Sequence, residues 1–134
     1  MANPYLEAEV LNADPVKLVQ LLYRGAIDAV VTARRHLASG AIRLRSRSIT
    51  KAWEILLELL QTLDHTHGGD LSRNLASLYT YMQTRLMEAN SRQSDAPLKE
   101  VEDLLNTLME GWRHVPPLHA LSTGSESDER SFSY

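Results

Sequence analysis

Apolar residues recur every three or four positions through four separate stretches of the chain, the spacing of one helix face. The first stretch opens at Asp14-Pro15, a good N-cap followed by a residue suited to the first helical position. Its stripe is Leu18, Leu22, Ala26, Ala29, Ala33 and Leu37, widened by Val16, Val19, Tyr23, Ile27 and Val30. Ser39-Gly40 stops it, with Gly40 suited to a left-handed cap. The second stretch is clear from about Ser48 to Leu63, with Ile49, Ala52, Trp53, Leu56, Leu60 and Leu63 on one side. Arg43, Arg45 and Arg47 would oppose the dipole of an earlier start. Gly68-Gly69 breaks the pattern. A third helix is predicted from Asp70 to about Asn90, with Leu71, Leu75, Leu78, Tyr79, Met82, Leu86 and Ala89 as its stripe. After a polar turn over Ser91–Ala96, Leu98, Val101, Leu104, Leu105, Leu108, Met109, Trp112 and Val115 mark the fourth, which Pro116-Pro117 ends.

No stretch alternates with a period of two, so no sheet is predicted. Short connections between helices of this length imply antiparallel neighbours. The fold class is all-α: an antiparallel up-down-up-down four-helix bundle with a short N-terminal capping segment and a disordered C-terminal tail. Residues 1–13 form the arm, 14–117 the bundle and 118–134 the tail. Within the tail, residues 122–134 hold five serines and three acids and almost no apolar content, a composition that does not build a core. The arm differs, because Tyr5, Leu6, Val10 and Leu11 are too apolar for a solvated tail and are expected to dock on the bundle.

Composition narrows the chemistry. The chain has 134 residues and no cysteine, which excludes disulfide scaffolds, thiolate nucleophiles and cysteine-ligated metals. No apolar run is long enough to cross a membrane. Met1–Val10 holds two glutamates and no basic residue, unlike a secretory signal. The net charge of −3 argues against a general nucleic-acid binder. The charge is unevenly spread, since Arg34, Arg35, Arg43, Arg45, Arg47 and Lys51 cluster without an acid among them. That run has no interleaved aromatic for base stacking and reads as a solvated surface or one facing an acidic partner.

Catalytic signatures are missing. His65 and His67 in a turn, with His114 and His119, lack an acid spaced to complete a metal set, and no Glu-x-x-His of the di-iron bundles occurs. There is no Gly-x-Ser-x-Gly elbow and no phosphate-binding glycine loop. No metal, cofactor or enzymatic activity is expected. What stands out is apolar surplus. Val16, Val19, Tyr23 and Ile27 on the first helix, Ile55, Leu57 and Leu59 on the second, and Tyr81 and Met87 on the third exceed what four facing stripes need. With Tyr5, Leu6, Val10 and Leu11, they are the candidate partner-binding or lid residues.

These residues also carry a resemblance. Asn3-Pro4-Tyr5, Ala13-Asp14-Pro15, and Leu18 followed by Leu21-Leu22-Tyr23 and Gly25-Ala26 resemble the flagellin-specific export chaperone family, FliS. The centre is similar too: Leu63-Asp64, Gly68-Gly69-Asp70-Leu71, Asn74-Leu75, Leu78-Tyr79, Tyr81-Met82, Arg85-Leu86 and Ala89-Asn90, then Glu100-Val101, Leu104-Leu105 and Trp112. The resemblance implies a cytoplasmic four-helix bundle with an N-terminal cap. It also implies that the bundle binds the C-terminal segment of flagellin, prevents premature polymerisation and presents it to a component of the flagellar type III export gate. It implies neither nucleic acid nor membrane insertion. The alternative is a homo-oligomeric structural bundle with no client, its surplus apolar surface buried between copies.

Overall fold

A computed structural model of the chain describes residues 14–63 and 68–115. The arm residues Tyr5, Leu6, Val10 and Leu11, the histidines His65, His67 and His119, and the serine-rich tail lie outside the described residues. Four helices account for nearly all of the rest: α1 (Pro15–Ser39), α2 (Ile42–Thr62), α3 (Gly69–Arg92) and α4 (Asp95–Arg113). Among the described residues there is no strand.

The caps follow from local chemistry. The Asp14 carboxylate accepts the Val16 N–H at 3.1 Å, and Pro15 occupies the first turn of α1, where a missing N–H costs nothing. At the other end Gly40 turns left-handed, with φ of 75°, and its neighbour Ala41 donates back to the His36 carbonyl. That reversal is so tight that α2 begins at Ile42 rather than near Ser48. The early start puts three arginines into turns where the dipole disfavours them by about 0.3–1 kcal/mol each. Packing outweighs this: Arg45, Ile49, Ala52, Leu56 and Leu59 make one continuous buried row from the first turn onward. The polar turn expected over Ser91–Ala96 is likewise shorter. α3 runs on to Arg92, Gln93 takes the left-handed cap and Ser94 opens α4.

The helices run up-down-up-down. Each packs on its sequence neighbours, and α4 closes on α1. The core between them holds Val30, Ile49, Leu56, Met82, Leu86, Leu98, Val101 and Leu105. Across its diagonal the buried hydroxyls of Tyr23 on α1 and Tyr79 on α3 meet at 2.6 Å. Burial pushes both phenols above their ordinary pKa, so both hydroxyls keep their protons and the bond between them. Trp112 of α4 packs edge-on against Tyr23 with ring centres 6.4 Å apart. Leu56 is core, whereas Leu75 and Trp112 are partly buried and packed against it. Leu71 departs from its expected place in the stripe: it is 66% exposed at the first turn of α3, beyond the reach of the packed rows.

Candidate functional site

The four outer seams between adjacent helices are closed by different chemistry. Those that α4 makes are latched by charge. On α1, Val16, Gln20, Ile27 and Arg34 share one side by helical spacing. Arg34 grips Asp95 through two 2.8 Å bonds and Glu102 through one of 2.9 Å, while Gln20 donates to the Trp112 carbonyl at 2.9 Å. The Arg34 guanidinium holds the Asp95 carboxyl below its ordinary pKa, and the two carboxylates raise that of Arg34. Across the α3–α4 seam the Tyr81 hydroxyl donates to Glu100 at 2.8 Å. Arg85 reaches the same carboxylate at 2.5 Å and pairs with Glu88 as well. The bonds from Tyr81 and Arg85 depress the Glu100 pKa, and in return the Tyr81 phenol is pushed up.

The seams of α2 are built otherwise. Among the described residues α2 makes no ion pair, although it carries Arg43, Arg45, Arg47, Lys51, Glu54 and Glu58. Toward α1 the helices close at Gly25, where a Cβ would stand only 3.3 Å from Ile55 Cδ1. Leu21 lies one turn before Gly25 and Leu44 three turns before Ile55, so both share this seam, and both are exposed. Toward α3 the links are neutral or singly charged. Arg45 Nε and Ser46 Oγ share the Asn90 side-chain oxygen at 3.2 and 3.1 Å, and Gln83 donates to the Trp53 carbonyl at 3.2 Å. Leu57, one turn past Trp53, and Met87, one turn past Gln83, stand exposed beside them.

The candidate residues therefore divide. Val19, Tyr23 and Leu59 are buried in the core and offer no surface. Leu59 falls there because the buried row of α2 runs Ile49, Ala52, Leu56, Leu59, closer to Leu59 than the sequence stripe allowed. Val16, Ile27 and Ile55 are half-buried at seams. Leu57, Tyr81 and Met87 are exposed. Sequence reasoning passed over Leu21, Ile42, Leu44 and Leu71, all exposed. The eleven-residue spacing of Leu44 and Ile55 was a usable signal, hidden by starting α2 too late. His114 is exposed beside Glu110, and among the described residues no three histidine or carboxylate groups converge as metal ligands. No described helix is long and apolar enough to cross a membrane.

Comparison with known proteins matches the chain to a family. The profile described as "Flagellar protein FliS" matches residues 1–119, arm included. The chain belongs to the FliS family. It is 36% identical over 117 residues to the "Flagellar secretion chaperone FliS" of Salmonella typhimurium, covering 87% of each chain. It is 38% identical over 107 residues to the "Flagellar secretion chaperone FliSB" of Pseudomonas aeruginosa, covering 80% of this chain and 85% of that one. With the Escherichia coli "Flagellar secretion chaperone FliS" it shares 31% over 109 residues, 81% and 80% of the two chains. These FliS relatives are named as secretion chaperones, and the matched span takes in all four helices and both kinds of seam.

Proposed function

We propose that this chain is a cytoplasmic chaperone that binds the C-terminal segment of flagellin, keeps it from polymerising early and delivers it to the flagellar export apparatus. The observation that carries the reading is the match over residues 1–119 to a family whose members are named flagellar secretion chaperones. It acts by binding alone, without a cofactor. The client segment forms an amphipathic helix that is disordered while free, and left alone its apolar face finds other copies. A groove lined by aliphatic side chains covers that face in the helix-in-groove manner. The seams of α2 suit this role: Leu21 and Ile55 on one side, Leu57 and Met87 on the other, with no ionic latch to break before a client enters. Tyr81 is exposed as well, but its hydroxyl is engaged by Glu100 on a latched seam. Ordering the client costs part of the gross binding energy, which keeps the complex releasable.

In this reading the arm, through Tyr5, Leu6, Val10 and Leu11, is a replaceable lid over the bundle's apolar surface. Deleting residues 2–13 then increases dye binding, and client affinity rises for a lid or falls for a clamp. The direct test is light scattering of the chain with a flagellin C-terminal fragment. A monomer forming a one-to-one complex supports the proposal. A tight dimer with no affinity for the fragment overturns it in favour of the homo-oligomeric bundle.

A further inference from the structure

The turn end of the bundle, where α1 hands over to α2, carries charge that the fold does not use. α2 starts without a capping side chain and without an acid in its first turn, so no side chain complements the positive end of its dipole, although the Ile42 N–H reaches the Gly40 carbonyl at 3.0 Å. Instead Arg43, Arg47 and Lys51 stand exposed on its outer face, spaced one turn apart, and among the described residues none makes an ion pair. Like charges at this spacing repel, and basic residues at a helix start oppose the dipole. Three such residues on one face are a standing cost in the isolated chain.

Arg45 is a second and independent sign. It is 95% buried by its 5% relative exposure, yet among the described residues its side chain makes one hydrogen bond, from Nε to the neutral side-chain oxygen of Asn90. Guanidinium groups this deeply placed ordinarily meet a carboxylate. No described side-chain nitrogen is fully enclosed without a partner, so the remaining donors of Arg45 open toward solvent. Ser46, which shares the Asn90 oxygen, also lines a shallow groove with Arg47, Thr50, Lys51 and Glu54. Two aliphatic side chains flank this basic end: Ile42 at 59% exposure and Leu44 at 45%.

We propose that this end of the bundle docks an acidic segment of a partner protein that bears aliphatic side chains. Its carboxylates meet Arg43, Arg47 and Lys51 and complete the fork of Arg45, and its apolar residues cover Ile42 and Leu44. Charge complementarity selects the partner: of six cationic residues between Arg34 and Lys51, only Arg34 pairs with an acid among the described residues. Nucleic acid fits less well, because the patch offers aliphatic side chains and no aromatic ring for base stacking. The site adjoins the open α1–α2 seam through Leu44, but its cationic residues Arg43, Arg47 and Lys51 lie on the outer face, so it stands whether or not flagellin is the client.

The test titrates the whole chain with a synthetic twelve-residue peptide of leucine and glutamate at helical spacing, followed by calorimetry. Measurable binding is expected at low salt, weakening as ionic strength rises. Arg43→Glu with Arg47→Glu, both exposed and harmless to the core, should weaken it by about tenfold or more. Arg45→Gln should weaken it too, and Leu44→Ser by a smaller factor. No binding to the peptide below about 1 mM overturns the proposal. So does equal affinity for the same peptide with glutamine in place of glutamate, or tighter binding of a twelve-nucleotide RNA.

Discussion

α4 and α2 are both amphipathic helices of one small bundle, yet they are held in opposite ways. α4 is tied to α1 by Arg34 with Asp95 and Glu102, and to α3 by Glu100 with Tyr81 and Arg85. α2 carries six charged residues and, among the described residues, pairs none of them as ions. Its inner face is as well buried as that of α4, so the difference is confined to the seams. Burial supplies stability to both helices, while the edge chemistry decides which surfaces stay closed. A latched seam resists an incoming helix, because charged groups would have to be desolvated and left unpaired. An aliphatic seam loses little and gains cover.

The comparison breaks first at its inner faces. Leu56→Ala on α2 should cost about 2–5 kcal/mol in a urea melt, as should Leu105→Ala on α4. The neighbouring Leu57→Ser, on the open seam, should stay within about 0.5 kcal/mol of the parent. If Leu57→Ser destabilises like Leu56→Ala, the seam is core and the division fails. Next in size is Tyr79→Phe, which removes the 2.6 Å hydrogen bond of the buried Tyr23 hydroxyl and should cost about 1 kcal/mol or more. The same melt with Tyr23→Phe and Tyr79→Phe together should recover part of that loss. Arg34→Met unlatches the α1–α4 seam and should cost about 1 kcal/mol, screened by salt because the pair is partly exposed.

The smallest effect is that of acid. Asp95 and Glu100 have pKa values below their ordinary 3.8 and 4.5. Groups depressed on folding stabilise the native state above their unfolded values and lose that contribution as pH falls through the folded ones. The melting temperature should therefore hold from pH 7 to about 5 and drop below about 4.5, and the drop should shrink in the Arg34→Met variant. A drop of equal size in that variant would show that the latch carries none of the acid sensitivity.

Much of this was legible in the chain itself. The four stripes, the Asp14-Pro15 cap and the Gly40 stop are local signals, and local signals suffice when propensity and pattern agree. The start of α2 was not legible, because three arginines argued against a helix that tertiary burial nevertheless imposes. The same misplacement hid Leu44 and Ile42 from the surface reading. Tyr23 and Leu59 were misread as surplus for another reason. A helix can be apolar over more than half its circumference and still bury most of it when two neighbours flank it, and the sequence does not say which neighbours those are. The latch of Arg34 on Asp95 and Glu102 joins positions some sixty residues apart, which no spacing rule reports.

The division between latched and open seams is tested most directly by calorimetry of paired variants against a flagellin C-terminal fragment. Leu57→Gln with Met87→Gln alters the open α2–α3 seam. Val31 lines the α1–α4 seam beside Arg34, Asp95 and Glu102, so Val31→Gln with Tyr81→Gln alters the two seams of α4, and all four positions lie outside the core. The account predicts that the first pair weakens binding by about thirtyfold, roughly 2 kcal/mol, while the second stays within about threefold of the parent. Equal losses in both pairs, or the larger loss in the second, would contradict it.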